Sequence, residues 1–145
     1  HPRDNIALSW LSREVDLSYD WYENLMISRE KHTEWLADLT IDYSNKNDLD
    51  IMILGKSFKK ETNLINGSPS YLLNSLLKEK NYEAKMFDPF IDEDEFLPEG
   101  PMVFFIGTNH DLFKTYEFPK GSVVIDPWRI ITFDNDIELV SIGVS

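Results

Sequence analysis

Cysteine is absent from the 145 residues. That excludes disulfides, thiolate metal sites and a cysteine nucleophile within these positions. Positive charge is scarce. Against 26 aspartates and glutamates stand 14 lysines and arginines, for a net charge of -12. A chain this acidic is a poor general binder of nucleic acid or of an anionic membrane. One lysine or one helix N-terminus is still enough to hold a single phosphate. No apolar run approaches the roughly 20 residues needed to span a bilayer, and no signal peptide is visible, so a soluble cytoplasmic protein is expected. The fingerprint Gly-x-Gly-x-x-Gly is missing. Gly55-Lys56-Ser57 is not a phosphate-loop motif either, because the position five residues before Gly55 is Asp50 rather than glycine. The three histidines lack metal-ligand spacing, and no metal site is expected.

What is present is a globular composition. Hydrophobic residues make up 42% and charged residues 28%, enough for one domain with a real core. From about Asp4 to Val15 the chain reads as a helix with Ile6, Ala7, Trp10 and Leu11 on one face. A longer helix follows from about Ser18 to Leu39, with Trp21, Leu25, His32, Trp35, Leu36 and Leu39 recurring at three- and four-residue steps. Such a stripe needs a partner surface, which its own domain or a second subunit would equally provide. Asp42 to Asp50 is polar and reads as a linker.

Beyond it the period changes. Ile51–Leu54, Ala84–Phe87, Met102–Ile106, Ser122–Ile125 and Glu138–Ile142 read as strands, the first as a continuous apolar run. Ser68 is a helix cap with Pro69 at the first helical position, and the helix ends near Lys80 with Tyr71, Leu72, Leu73, Leu76 and Leu77 on its buried face. A short helix is expected around His110 to Lys114, and Asp92-Glu93-Asp94-Glu95 reads as a solvated loop. Strands alternating with helices predict an α/β fold, a Rossmann-like three-layer domain with a parallel sheet, preceded by a helical segment.

In such sheets ligands sit beyond the carboxyl ends of the strands. The loop from Gly55 to Gly67 lies at that edge and carries Lys56, Lys59 and Lys60 in an otherwise acidic chain. It reads either as a solvated turn or as a loop from which one lysine reaches a phosphate or a sugar hydroxyl. Asp4, in a first helical turn, reads as a dipole or capping residue when taken alone. His110 reads as structural or helix-capping, and Ser68 has no His/Asp relay.

Gly55-x-x-Phe58-Lys59-x-x-Thr62 followed by Ser68-Pro69 resembles the C-terminal domain signature of the UDP-glucose/GDP-mannose dehydrogenase family. His1-Pro2-Arg3-Asp4-Asn5 resembles the segment that directly follows that family's catalytic cysteine. The long helix, Asp88-Pro89 after the second strand and Thr108-Asn109-His110 after the third match in order, so that the resemblance runs from His1 to about Ile131. It implies the back half of an enzyme cut just after its nucleophile. In that family the cysteine forms a thiohemiacetal and then a thioester with the substrate. Asp4 would be the catalytic aspartate that positions water, and Arg3 the basic residue before it, beside the substrate. Phe58 and Lys59 would line the sugar-nucleotide site. The family's Asp-Gly-Arg appears here as Asp126-Pro127-Trp128-Arg129, so Arg129 stands one place beyond the substrate-binding arginine. Asn66 occupies the position of an arginine that contacts the nicotinamide cofactor.

The resemblance further implies residues 1–44 as the end of a central helical dimerisation domain and 45–145 as a nucleotide-sugar-binding domain. The partners implied are a UDP-sugar or related nucleotide sugar and a second copy, in a homodimer through the helix from about Ser18. NAD would be bound mainly by an N-terminal domain outside this chain, leaving the isolated chain inactive. The departures at Asn66 and Trp128 support an alternative, a non-catalytic module that binds a nucleotide sugar. The acidic surface and aromatic helix alone would suit an interaction domain.

Overall fold

The computed structural model describes residues 2–94, 96–132 and 134–143. His1, read as following the nucleophile, and Glu95 of the acidic run lie outside them. Two helices come first, α1 (Pro2–Glu14) and α2 (Trp21–Asn47). Asp20 caps α2: its carboxylate accepts the Glu23 N–H at 2.9 Å and also the Ser9 hydroxyl, tying the helix start to α1. The Ser9 hydrogen bond foremost, then the Glu23 N–H and the Arg13 charge, lower the Asp20 pKa.

The segment read as a linker is helical as far as Asn47. Its polar side chains lie on the outside of a helix whose inner side packs Ile41 and Tyr43 against the core. Asp48, at φ +55°, then ends α2 as its N–H and that of Leu49 return to the Ser44 carbonyl. The aromatic stripe divides along the helix. Leu36 is buried and Leu39 packs on the core, while Trp21 is 68% exposed and Leu25 and Trp35 are also exposed. The apolar face expected on α1 lies on the outside. Ile6, Ala7, Trp10 and Leu11 are exposed, whereas Ser9 and Ser12 are buried where α1 packs on α2. Small side chains allow the two helices to approach, and this outweighs the apolar periodicity.

The sheet comprises β1 (Ile51–Leu54), β2 (Ala84–Phe87), β3 (Val103–Ile106), β4 (Val123–Asp126) and β5 (Glu138–Ser141). The order is β2-β1-β3-β4-β5, with every pair parallel. Helix α3 (Pro69–Glu79) joins β1 to β2, with Ser68 capping the Ser70 N–H as expected. Ile51, Ile53, Val103, Phe105, Val123 and Ile125 face Leu36 and Ala37 of α2 and Leu73 and Leu77 of α3. Met52, Leu54, Phe104, Ile106 and Val124 point the other way, beneath Phe113, Phe96, Tyr116 and Phe118. Phe113 belongs to a 3-10 turn (Asp111–Thr115), so this second face is covered by a short turn and aromatic loops. Burial on both faces explains the unbroken apolar runs of the central strands β1 and β3. Each fully buried Leu or Ile contributes roughly 1.5–3 kcal/mol.

Strand order reverses between β1 and β3, so the loops leaving these strands part and open a crevice. Two glycines let the loops begin close together. Gly55 has φ +98°, and a Cβ there would lie 2.6 Å from the Thr108 backbone nitrogen. A Cβ on Gly107 would lie 2.2 Å from Ser70 Oγ and 2.8 Å from the Gly55 carbonyl. Among the described residues no helix is long and apolar enough to cross a membrane.

Gly55→Ala is therefore expected to lose on the order of 3 kcal/mol through overpacking and left-handed strain. Its thermal midpoint should fall by roughly 6–12 °C. Gly100→Ala, where a Cβ would meet nothing within 4 Å, is the control and should melt with the wild type.

Candidate functional site

Three loops converge where β1, β2 and β3 end, and their meeting point is a buried carboxylate. Asp88, the residue after β2, is fully buried. Its Oδ2 accepts the N–H of Lys56 at 2.7 Å and of Ser57 at 2.9 Å, and its Oδ1 accepts the Phe90 N–H at 2.9 Å. His110 Nε2 lies 3.1 Å from Oδ2. Burial alone would raise the Asp88 pKa. The His110 hydrogen bond and the three backbone N–H donors outweigh it and hold the carboxyl well below its ordinary range.

His110 is itself fully buried, stacked on Phe90 at 4.9 Å between ring centroids. It stands at the N-cap position of the 3-10 turn, yet its side chain makes no capping bond. The ring turns instead into the loop after β1. Its Nδ1 accepts the Glu61 N–H at 2.9 Å, and its Nε2 lies 3.0 Å from Ser57 Oγ. Ser57 Oγ in turn donates to the Lys59 carbonyl at 2.9 Å. Thr108 Oγ1 donates to the Ser57 carbonyl at 2.6 Å. The Phe58-Lys59 segment is thereby held from beneath by side chains of the β2 and β3 loops.

The three lysines of this loop have different surroundings. Lys56 pairs with Asp92 at 2.5 Å, and Lys60 with Asp111 at 3.1 Å and Glu61 at 3.6 Å. Hydrogen bonding to Asp111, with the charges of Asp111 and Glu61, raises the Lys60 pKa. Lys59 is exposed and has no carboxylate within ion-pair distance among the described residues. Phe58 beside it is half-buried, with its N–H on the Leu64 carbonyl at 2.6 Å.

The other candidates lie apart from this cluster. Arg3 and Asp4 are exposed on the first turn of α1. Asn66 is exposed in a turn closed by the Ser68 N–H on the Ile65 carbonyl. At the end of β4, buried Asp126 accepts the N–H groups of Trp128 at 3.0 Å and Ile131 at 2.8 Å. That turn sends Trp128 back over β3, its Nε1–H donating to the Gly107 carbonyl at 3.3 Å. Arg129, at φ +57°, points to the end of β5, where its guanidinium donates to the carbonyls of Ile142 and Gly143 at 2.7–3.1 Å. Trp128, Ser70, Gly107, Arg29 and His32 line a cavity of about 270 Å³ between α2, α3 and the β3 end. A wider hollow of about 540 Å³ lies on the other face around Phe87, Leu97 and Tyr116. It has no cation among its described lining residues, so it suits an anionic ligand less well.

A dinucleotide held by such a sheet places its pyrophosphate on the backbone N–H groups after β1. Here the N–H groups of Lys56 and Ser57 are already taken by Asp88. The residues present therefore do not fit NAD by themselves. What the loop offers a ligand is the exposed Lys59 side chain. Sequence reasoning passed over Asp88 and Ser57 and gave His110 only a structural or capping role. The available signal was their place: each is a polar residue within four positions of the end of an apolar strand.

No family model and no curated protein matches the sequence. Solved structures do. GDP-mannose dehydrogenase from Pseudomonas aeruginosa, determined as a ternary complex, is 22% identical with a TM-score of 0.68, over 95% of this chain and 38% of that one. UDP-N-acetyl-mannosamine dehydrogenase Cap5O from Staphylococcus aureus is 18% identical with a TM-score of 0.63, over 75% of this chain and 29% of that one. The UDP-D-ManNAc dehydrogenase from Pyrococcus horikoshii is 21% identical with a TM-score of 0.63, over 79% of this chain and 30% of that one. The chain is thus similar in structure to nucleotide-sugar dehydrogenases, the family its sequence resembles, and spans about a third of their length. At these identities the likeness establishes the fold.

Because the folded pKa of Asp88 is depressed, its contribution is complete above the unfolded carboxyl value of about 4. It is lost as the pH falls through the lower folded value. Asp88→Asn is expected to destabilise the protein by about 2 kcal/mol or more at neutral pH, since its NH2 must face either the Phe90 N–H or the Lys56 and Ser57 N–H groups. Urea titrations between about pH 7 and pH 3 should show the gap to wild type narrowing at the acid end.

Proposed function

We propose that this chain is the C-terminal part of an NAD-dependent nucleotide-sugar 6-dehydrogenase. The parent would oxidise the C6 alcohol of a UDP-hexose such as UDP-glucose to a carboxylate. The observation that carries this reading is Lys59, a cation unpaired among the described residues, on a hydrogen-bonded loop at the crevice between β1 and β3. The fold likeness to nucleotide-sugar dehydrogenases supports it.

Each residue has its part in this reading. The Lys59 ammonium donates to a phosphate or hexose oxygen and stabilises negative charge developing there. Phe58 packs beside the sugar. Asp4 positions water, with Arg3 next to the substrate. Asn66 meets the cofactor through its amide where the family has an arginine. Arg129 reaches the sugar nucleotide only by leaving the carbonyls of Ile142 and Gly143. Residues 1–44 belong to the helical dimerisation region and 45–145 to the binding domain. Pairing of α2 with a second copy would cover its exposed Trp21, Leu25 and Trp35. NAD is held mainly by the part of the parent outside this chain, which works in the cytoplasm.

A second reading rests on Trp128, which fills the arginine position and is anchored on Gly107. It makes the protein a non-catalytic module that binds a nucleotide sugar. The two readings separate when the protein at its natural length is assayed for both binding and turnover, since tight binding without turnover favours the module.

The isolated 145-residue chain is expected to leave NAD unreduced in the presence of UDP-glucose, and turnover by it would sink the fragment reading. In titration calorimetry on the natural-length protein, Lys59→Ala should weaken UDP-sugar binding about tenfold or more, the worth of one charged hydrogen bond. Unchanged affinity would remove Lys59 from the site.

A further inference from the structure

We infer that His110 is a positioning residue for the Phe58-Lys59 loop: as a neutral ring it clamps both sides of Lys59 and presents the ammonium to the ligand. This deepens the nucleotide-sugar reading and rests on it.

The proton positions follow from the hydrogen bonds. Nδ1 accepts the Glu61 N–H, so it carries a lone pair and no proton. The ring proton is therefore on Nε2, where Asp88 Oδ2 at 3.1 Å and Ser57 Oγ at 3.0 Å both accept it. Ser57 uses its own proton on the Lys59 carbonyl. A continuous chain thus runs from the Asp88 carboxylate through the imidazole and the serine hydroxyl to the Lys59 carbonyl. A second branch goes from Nδ1 to Glu61. Lys60, between the two anchored residues, is turned outward to Asp111. Glu61 takes φ +55°, an unfavourable conformation for a glutamate, which the bond to Nδ1 helps to hold.

The trio Ser57, His110 and Asp88 looks like a nucleophilic triad and is not one. In such a triad the carboxylate and the serine occupy different ring nitrogens. Here both meet Nε2, and the only ring lone pair is already engaged by a backbone N–H. All three residues are buried. The arrangement has no free base to activate a hydroxyl, but it fixes a loop. A loop held in its binding shape before the ligand arrives loses less conformational freedom on binding.

The test uses the protein at its natural length, with UDP-glucose as the probe. His110→Gln places a donor near Asp88 and Ser57 but removes the acceptor for Glu61. Ser57→Ala cuts the link to the Lys59 carbonyl without enlarging a buried side chain, and serves if the first variant folds poorly. Each should speed amide hydrogen exchange in residues 57–61 about tenfold and weaken UDP-glucose binding about tenfold. In a Lys59→Ala background neither should weaken binding further, because both act through Lys59. A purely structural residue would add its loss in both backgrounds, and additivity would overturn the inference. So would unchanged exchange, or wild-type affinity in a variant whose loop has loosened. If the wild-type protein binds no nucleotide sugar, the functional reading and the positioning role fall together. If it binds and the variants bind equally well, only the positioning role falls.

Discussion

The buried Asp88 carboxylate is the constraint on which the ligand edge of this protein depends. A charge removed from water is tolerated only if its lone pairs are met. Asp88 meets that need with N–H groups of the β1 loop, the Phe90 N–H of its own turn, and the His110 ring from beyond β3. Three segments distant in sequence are thereby locked to one another. Gly55 and Gly107 make the lock geometrically possible by letting the loops start in near contact. Ser57 and Thr108 extend it with bonds to the Lys59 and Ser57 carbonyls.

The lock also decides how a ligand can be held. The backbone donors after β1, which in other parallel sheets face a phosphate, are consumed by the protein's own carboxylate. Recognition then falls to side chains standing above the loop. Of the three lysines there, Lys56 and Lys60 neutralise carboxylates nearby, and Lys59 is left to solvent among the described residues. A net charge of -12 makes one such cation a local exception rather than part of a basic surface. An anionic ligand would be drawn to one spot and would not bind broadly.

The rest of the molecule supports this edge unequally. Leu36 and Ala37 of α2, with Leu73 and Leu77 of α3, cover one sheet face, and Phe113, Tyr116 and Phe118 cover the other. The first half of α2 packs on α1, but its Trp21, Leu25 and Ile27 and most of the apolar side chains of α1 are exposed. The likeness to GDP-mannose dehydrogenase nevertheless covers 95% of the chain, helices and sheet together.

Local sequence was enough to determine the elements. Apolar runs marked the central strands β1, β3 and β4, Ser68-Pro69 marked the start of α3, and the alternation of strand and helix specified a parallel sheet, because these features reflect short-range backbone and burial preferences. Polar composition misled at residues 42–47, where side-chain polarity recorded only the outer face of a helix. Apolar periodicity placed Ile6 and Trp10 on one face of α1 but could not say that Ser9 and Ser12 would be the residues that lie inward. The Phe58-Lys59 loop was legible as a candidate, but the hydrogen bonds that hold it were not. Strand order, the meeting of Asp88 with Lys56, Ser57 and His110, the capture of Arg129 by the end of β5, and the isolation of Lys59 were decided only by the tertiary structure. Each depends on groups 20 or more residues apart, or on a turn whose direction is set by its neighbours, and no local preference encodes which of them will share a hydrogen bond.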